Sequence, residues 1–279
     1  MNDFRFSVAM CVYKKDNPKW FDEALASLFS STLPPNEIVL VEDGPVPDEI
    51  ETVINKYTGK EPELNVVRLA ENVGFGNACQ VCVENAKYDW IARMDSDDIC
   101  FSDRFEKQIN YLKAHPEIDI VGGATDHFQH SLSEKTYKSE KPITEKEIYK
   151  ALKSKCPFSH VTVMFKKAKV LEAGGYIEWF CEEDYYLWAR MIKHGCRAAN
   201  LTDSLVYVRS LPEQMARRGG WKYYKSEIRM QRFLLKEKFI SPIRFLYNAS
   251  IRFGAEILLT KRMRYQVRRF LIWRRSNAK

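Results

Sequence analysis

Several features are missing from this chain of 279 residues, and each absence narrows what it can be. No uninterrupted apolar run approaches the roughly 18 residues that would suggest a membrane-spanning helix. Residues 1–5 hold no basic segment followed by an apolar stretch, so no secretory leader is expected. There is no internal repeat and no low-complexity segment. The seven cysteines are an odd, scattered set rather than a spaced framework, which points to a reducing compartment and an expected cytoplasmic location. Cys79-Gln80-Val81-Cys82 is a lone C-x-x-C without a second pair. It falls on a helical pattern, so core packing is expected there rather than zinc or redox chemistry.

What is present is a globular composition with an uneven charge. Apolar residues make up 45% of the chain, enough for a packed core. The net charge of +7 conceals a gradient: residues 220–279 carry 16 Lys and Arg against 3 Asp and Glu, and the rest of the chain is net acidic. One end therefore faces something anionic.

Strands and helices alternate through the first half. Strands are predicted over residues 4–12, 37–41 and 64–69, at the acidic stretch near 91–94, and over 118–121. Between them, Phe21, Ala24, Leu25 and Leu28, then Ile50, Val53, Ile54 and Tyr57, then Ala78, Val81, Cys82 and Ala86, then Phe105, Ile109 and Leu112 recur at helical spacing. Asn17 followed by Pro18 is a helix start, and Thr144-x-x-Glu147 has the form of a capping box. Such alternation predicts a parallel sheet with helices on both faces and every strand's carboxyl end on one edge. A further strand is predicted over 161–165. Helices are expected from Glu182-Glu183-Asp184 through Met191, and again after Trp221.

The chain is organised around Ile91-Ala92-Arg93-Met94-Asp95-Ser96-Asp97-Asp98. Three carboxylates within four positions repel one another unless a cation sits between them. They leave a strand end, where open α/β sheets place their ligand crevice. Carboxylate oxygens favour hard divalent ions, and too few acids for a full cage leaves room for phosphate oxygens. A metal-bridged diphosphate is the leading reading of the stretch, and a solvated acidic loop is the bland alternative.

The ordered set of motifs resembles the inverting family 2 glycosyltransferases, which have a GT-A type fold and use nucleotide-diphosphate sugars. The residues that carry the resemblance are Val12-Tyr13, Glu42-Asp43-Gly44, Asn72-Val73-Gly74, Asp95-Ser96-Asp97-Asp98, Ser159 to Phe165, Gly174-Gly175-Tyr176, and Glu183-Asp184-Tyr185-Tyr186-Leu187-Trp188. Within the family it looks similar to bacterial transferases that extend lipid-linked sugars for O-antigen, capsule or exopolysaccharide. The Q-x-x-R-W motif of processive synthases is absent, which favours a single-addition enzyme. Glu42 departs from the commoner Asp-Asp-Gly-Ser loop.

The resemblance implies an α/β fold of GT-A type: a mostly parallel central sheet flanked by helices, with a basic C-terminal helical extension. It divides the chain into a transferase domain at 1–220 (nucleotide-binding half 1–123, acceptor and catalytic half 124–220) and the extension at 221–279. It assigns Asp43 to the uracil or ribose, with Tyr13 near the same base, and Asp95 to ribose or metal. Asp97 is the better direct ligand for Mn2+ or Mg2+, and Asp98 orients its neighbours or caps the segment before Asp103. Arg93 serves either phosphate charge or a structural ion pair. Asp184 is the general base, with Glu183 as competitor, and His160 lies at the acceptor or diphosphate edge. Arg217-Arg218-Gly219-Gly220-Trp221 is either a phosphate-gripping loop or a solvated one.

The implied partners are a UDP-sugar donor, galactose or glucose, and a polyprenyl-diphosphate-linked saccharide acceptor. The basic helices are expected to lie on the inner face of the cytoplasmic membrane. The alternatives are a sugar-nucleotide nucleotidyltransferase, which would want a Gly- and Arg-rich loop where Tyr13-Lys14-Lys15-Asp16 stands, and a nucleic-acid-binding protein. No recognised nucleic-acid motif is present, so no nucleic-acid partner is expected.

Overall fold

In the computed structural model, which describes residues 4–210, 219–260, 262–264, 266, 267 and 270, the sheet is built outward from one buried strand. Strand β1 (Phe6–Val12) is buried along its whole length, as is β2 (Glu37–Glu42) beside it. β3 (Glu63–Arg68) follows on that side and β4 (Trp90–Arg93) pairs with the other edge of β1, all four parallel. The full order is β3-β2-β1-β4-β8-β6-β9-β5, with β8 (Met164–Lys166), β6 (Ile120–Phe128), β9 (Ala198–Arg209) and β5 (Ile99–Cys100) completing it. β7 (Lys135–Ser139) is a hairpin partner of β6.

The sheet is mixed rather than purely parallel. β8 runs antiparallel to both β4 and β6, β5 is antiparallel to β9, and β6 and β9 are parallel. The strand predicted over 161–165 starts later than expected, because residues His160–Thr162 form a 3-10 turn. There the Thr162 hydroxyl donates to Ser159 O at 2.8 Å, and the Gln108 amide donates to Thr162 O at 2.9 Å. These bonds take the place of ladder bonds. The division drawn at 123/124 falls inside β6. A register shift against β9 falls there between Gly122 and Ala124, and a Cβ on Gly122 would lie 2.3 Å from Asn200 Oδ1.

Helices cover both faces. α1 (Pro18–Phe29), α2 (Asp48–Tyr57) and α4 (Arg104–Ala114) bury their apolar stripes with Phe6, Val8 and Met10. α3 (Phe75–Asn85), α6 (Lys167–Glu172) and α7 (Glu183–Lys193) pack on the opposite face with Ala9, Cys11 and Val39. Cys79 and Cys82 sit in that second core, with Cys11 Sγ 3.6 Å from Cys82 Sγ, and no cysteine is in a disulfide. Asn17 caps α1 through Lys19 N and Trp20 N, and Thr144 and Glu147 form the capping box of α5 (Glu145–Leu152).

The basic helices are built onto this body. α8 (Trp221–Lys236) buries Met230 and Leu234 against Tyr185, Ala189 and Leu152. α9 (Pro242–Phe253) is capped by Ser241 and runs into one turn of π-helix, Gly254–Leu258. Most of the basic residues predicted beyond 260 lie outside the described residues, as do Arg217 and Arg218. Because Leu234 is fully buried between α8 and α7, Leu234→Ala is expected to lower stability by about 2–5 kcal/mol. Urea unfolding should show this as one shifted transition, since α8 packs on α7, whose other face packs on the sheet.

Candidate active site

The strand order reverses at β1. The chain leaves β1 toward β2 on one side, while β4 lies on the other, so the β1 and β4 carboxyl ends form a topological switch point. Two loops meet there. The Ser96 hydroxyl donates to Asp16 Oδ2 at 2.9 Å, and the same oxygen accepts from Tyr13 N at 3.1 Å. Tyr13 is thus held by its backbone at the mouth of the crevice.

The acids after β4 are each held differently. Arg93 is buried at 2% exposure, donating to Ala9 O at 3.0 Å and to Asp95 Oδ1 at 2.6 Å, with the Phe75 ring 5.1 Å from its guanidinium. The guanidinium is thus ion-paired with Asp95. Asp98 is buried, and its Oδ1 accepts from Arg209 N at 2.8 Å rather than capping the segment before Asp103. The Arg209 side chain donates to Asp97 O at 3.1 Å and to Glu23 at 2.7 Å. Burial and the negative charges of Asp95 and Asp16 push Asp97 up to about 6. Burial with the charges of Asp97 and Asp95 holds Asp98 well above the usual carboxylate range.

Asp43 binds two loops together. Its Oδ2 accepts from the Asn72 amide and its Oδ1 from Val73 N, both at 2.7 Å. Gly44 follows with φ +83°, and a Cβ there would meet Asn72 N at 2.7 Å, so the turn requires glycine. Glu42 is buried and paired with Arg68 at 3.0 Å, and burial raises its pKa.

Across the sheet edge, α7 opens on three acids. Asp184 Oδ1 accepts from Tyr185 N at 2.6 Å, and Cys156 Sγ lies 3.4 Å from its Oδ2. Burial, then the charge of Asp184, pushes Glu183 up to about 8. His160 Nε2 is 2.8 Å from the Tyr176 hydroxyl, and burial followed by the Arg93 charge holds the imidazole well below its usual value, hence neutral. Asp95, Asp98, His160 and Asp184 line one cleft of about 950 Å³, whose far wall is made by α8 and α9. Tyr13, Asp43, Asp97 and Glu183 do not line it.

The sequence model described as glycosyl transferase family 2 matches residues 7–175. The chain belongs to that family. It is 37% identical over 260 residues (93% of this chain, 97% of the relative) to the amylovoran biosynthesis glycosyltransferase AmsE of Erwinia amylovora. It is 32% identical over 271 residues (96% and 98%) to an Escherichia coli UDP-Gal:alpha-D-GlcNAc-diphosphoundecaprenol beta-1,3-galactosyltransferase. In three dimensions it is similar to Staphylococcus aureus TarS residues 1–349, with a TM-score of 0.66 at 19% identity, covering 90% of this chain and 72% of that one. The fold is the GT-A type expected, and the protein is a glycosyltransferase.

In this glycosyltransferase the donor set at the switch point suits a divalent ion. Asp95 and Asp97 offer carboxylate oxygens two residues apart, and a cation between them would relieve the repulsion that raises Asp97. No group of three His, Cys, Asp or Glu with metal-holding geometry occurs among the described residues, so the protein would supply part of a shell. Sequence reasoning did not single out Arg209, whose only signal is its place at the end of a strand, nor Glu182 with its partners on α8 and α9.

The raised Asp97 has a consequence for stability. A carboxyl whose folded pKa lies above its unfolded value of about 3.9 adds stability that is fully present below about 4 and is lost as pH rises through about 6. In a metal-free thermal-melting series from pH 4 to 7, Asp97→Asn is therefore expected to flatten the fall in melting temperature seen for wild type.

Proposed function

We propose that this enzyme moves a hexose, galactose before glucose, from a UDP-sugar to a hydroxyl on a polyprenyl-diphosphate-linked saccharide. The reaction belongs to the assembly of bacterial surface polysaccharide. The observation that carries the reading is the cleft that Asp95 and Asp98 after β4 line together with Asp184. It is supported by 32% identity over nearly the full length of a relative whose name states UDP-galactose and a diphosphoundecaprenol-linked sugar.

The chemistry is a direct displacement. The acceptor oxygen attacks the anomeric carbon in line, the bond from that carbon to the phosphate oxygen breaks, and UDP departs with inversion. Asp184 takes the acceptor proton as general base. Glu183, with a pKa of about 8, is protonated at neutral pH and is the poorer base. Asp95 and Asp97 would hold Mn2+ or Mg2+, which supplies charge neutralisation for the leaving diphosphate. Arg93 fixes the orientation of Asp95, Tyr13 and Asp43 frame the uridine side, and neutral His160 borders the acceptor side.

We also assign this enzyme to the inner face of the cytoplasmic membrane. No helix among the described residues is long and apolar enough to cross a membrane. Leu258, Met263, Val267 and Phe270 are exposed and interleaved with Arg262, Arg264 and further arginines of the sequence. Apolar groups among cations suit an anionic interface, each cation adding about 1 kcal/mol near it.

Two experiments test these readings. With Mn2+ and a panel of nucleotide sugars, released nucleoside diphosphate should identify UDP-galactose or UDP-glucose as donor. Asp184→Asn should then keep its UDP affinity and lose about 10²–10⁴-fold in turnover, whereas near-normal turnover together with collapse in Glu183→Gln would move the base by one residue. For the membrane, truncation after Thr260 should abolish salt-sensitive flotation with anionic vesicles.

A further inference from the structure

The cleft changes character between its inner wall and its rim. Asp98, Glu182, Glu227 and Glu256 are buried parts of its lining, whereas Lys155 and Arg244 are exposed parts of the same lining. Helix α9 builds this rim. The Asn248 amide donates to Lys153 O at 2.8 Å and Arg252 donates to Ser154 O at 2.7 Å, clamping α9 over the end of α5 where the chain turns to Lys155. Residues four apart share a helix face, so Arg244 continues the clamped row of Asn248 and Arg252 outward by one turn.

The neighbouring row is apolar. Ile243, Tyr247 and Ile251 are 81%, 56% and 52% exposed, yet Tyr247 and Ile251 also line the cleft. The row spans about 12 Å along the helix. The Arg244 guanidinium lies 5.3 Å from the Tyr247 ring, which holds the cation against the start of this track. A water-facing helix has no use for such a row beside the exposed Arg244.

We infer that this rim is a binding site for a prenyl diphosphate. Lys155 and Arg244 engage its phosphates, and the row Ile243, Tyr247 and Ile251 carries its first isoprenoid units out of the cleft. The inference rests on the acceptor class proposed above and adds the residues that recognise it. The match is one of chemistry: an arginine fork and a lysine point charge suit a diphosphate, and the adjoining row offers apolar surface where an isoprenoid chain leaves that diphosphate. The saccharide then extends inward toward Asp184.

The test is calorimetric titration of the full chain with farnesyl diphosphate, farnesol and inorganic diphosphate. EDTA is present so that Asp95 and Asp97 cannot capture a metal-bound diphosphate. Wild type should bind farnesyl diphosphate at least about tenfold more tightly than either half-ligand. The double variant Lys155→Glu/Arg244→Glu should lose at least about tenfold of that affinity. Ile243→Asp/Ile251→Asp should bind farnesyl diphosphate no better than inorganic diphosphate. UDP, titrated separately with Mn2+, should bind both variants as it binds wild type. Unchanged farnesyl diphosphate affinity in the charge-reversal variant, or equal wild-type affinity for farnesyl diphosphate and inorganic diphosphate, would overturn the inference. If wild type binds farnesyl diphosphate as expected but fails to bind UDP, the donor reading falls and this site stands. If UDP binds and the farnesyl arms fail, only this site is removed.

Discussion

Carboxylate crowding at the end of β4 is the constraint to which the rest of the structure answers. Asp95, Asp97 and Asp98 lie within four positions, and their mutual repulsion must be offset inside a region with little water. The offset comes from two buried arginines, one local and one distant in sequence. Arg93 reaches up from the same strand to Asp95, and Arg209 comes from the end of β9 to bind Asp98 and Asp97 through backbone groups. Arg209 is itself paired with Glu23, 186 residues away in sequence. A buried arginine left without a partner would cost several kcal/mol. Helix α1, strand β9 and the acidic loop are therefore fixed together, which gives the crevice its shape before any ligand enters.

A second charge network ties the basic helices to the acidic start of α7. Arg252 of α9 pairs with Glu227 of α8 and lies 3.7 Å from Glu256, and its charge also acts on Glu182 at the start of α7. One arginine cannot neutralise three acids. Burial first, and the repulsion of Glu227 second, holds Glu182 well above its ordinary range and pushes Glu256 up to about 7. Tyr223 donates to Glu227, Ser226 donates to Phe180 O, and Tyr185 bonds Leu152 O. The extension is thus part of the cleft, and the acidic end of α7 is held from both sides.

The first half of the fold was legible because its apolar periods are clean. β1, β2 and the helices α1 to α4 bury the residues that their spacing picks out, Phe21 to Leu28 and Phe105 to Leu112 among them. The second half was not, for physical reasons that can be named. β9 carries register shifts against β6 and mixes buried with half-exposed positions, so no period of two survives. β5 has two residues, too few for any pattern. His160–Thr162 is apolar enough to read as strand, yet hydroxyl and amide side chains settle it as a turn. At the site, motif order located Asp95 and Asp184 but could not reveal their partners. Arg209, which donates to Asp98, and Cys156, beside Asp184, lie 111 and 28 positions from the acids they meet.

These networks divide labour among neighbouring acids that a sequence cannot tell apart. Glu182, Glu183 and Asp184 are consecutive carboxyls, but the helix aims them into different surroundings. Glu182 turns toward Glu227 and Arg252, and Glu183 is buried and raised to about 8 by burial and the adjacent charge. Asp184 is left facing the open cleft with the Tyr185 amide and Cys156 thiol beside it. Burial thus separates the surroundings of adjacent acids, and of Glu183 and Asp184 only Asp184 lines the cleft. The same logic acts after β4, where Asp98 is held by the Arg209 amide and Asp95 by the Arg93 guanidinium. Strand and helix ends deliver clusters of acid, and the partners that reach each one set its members apart.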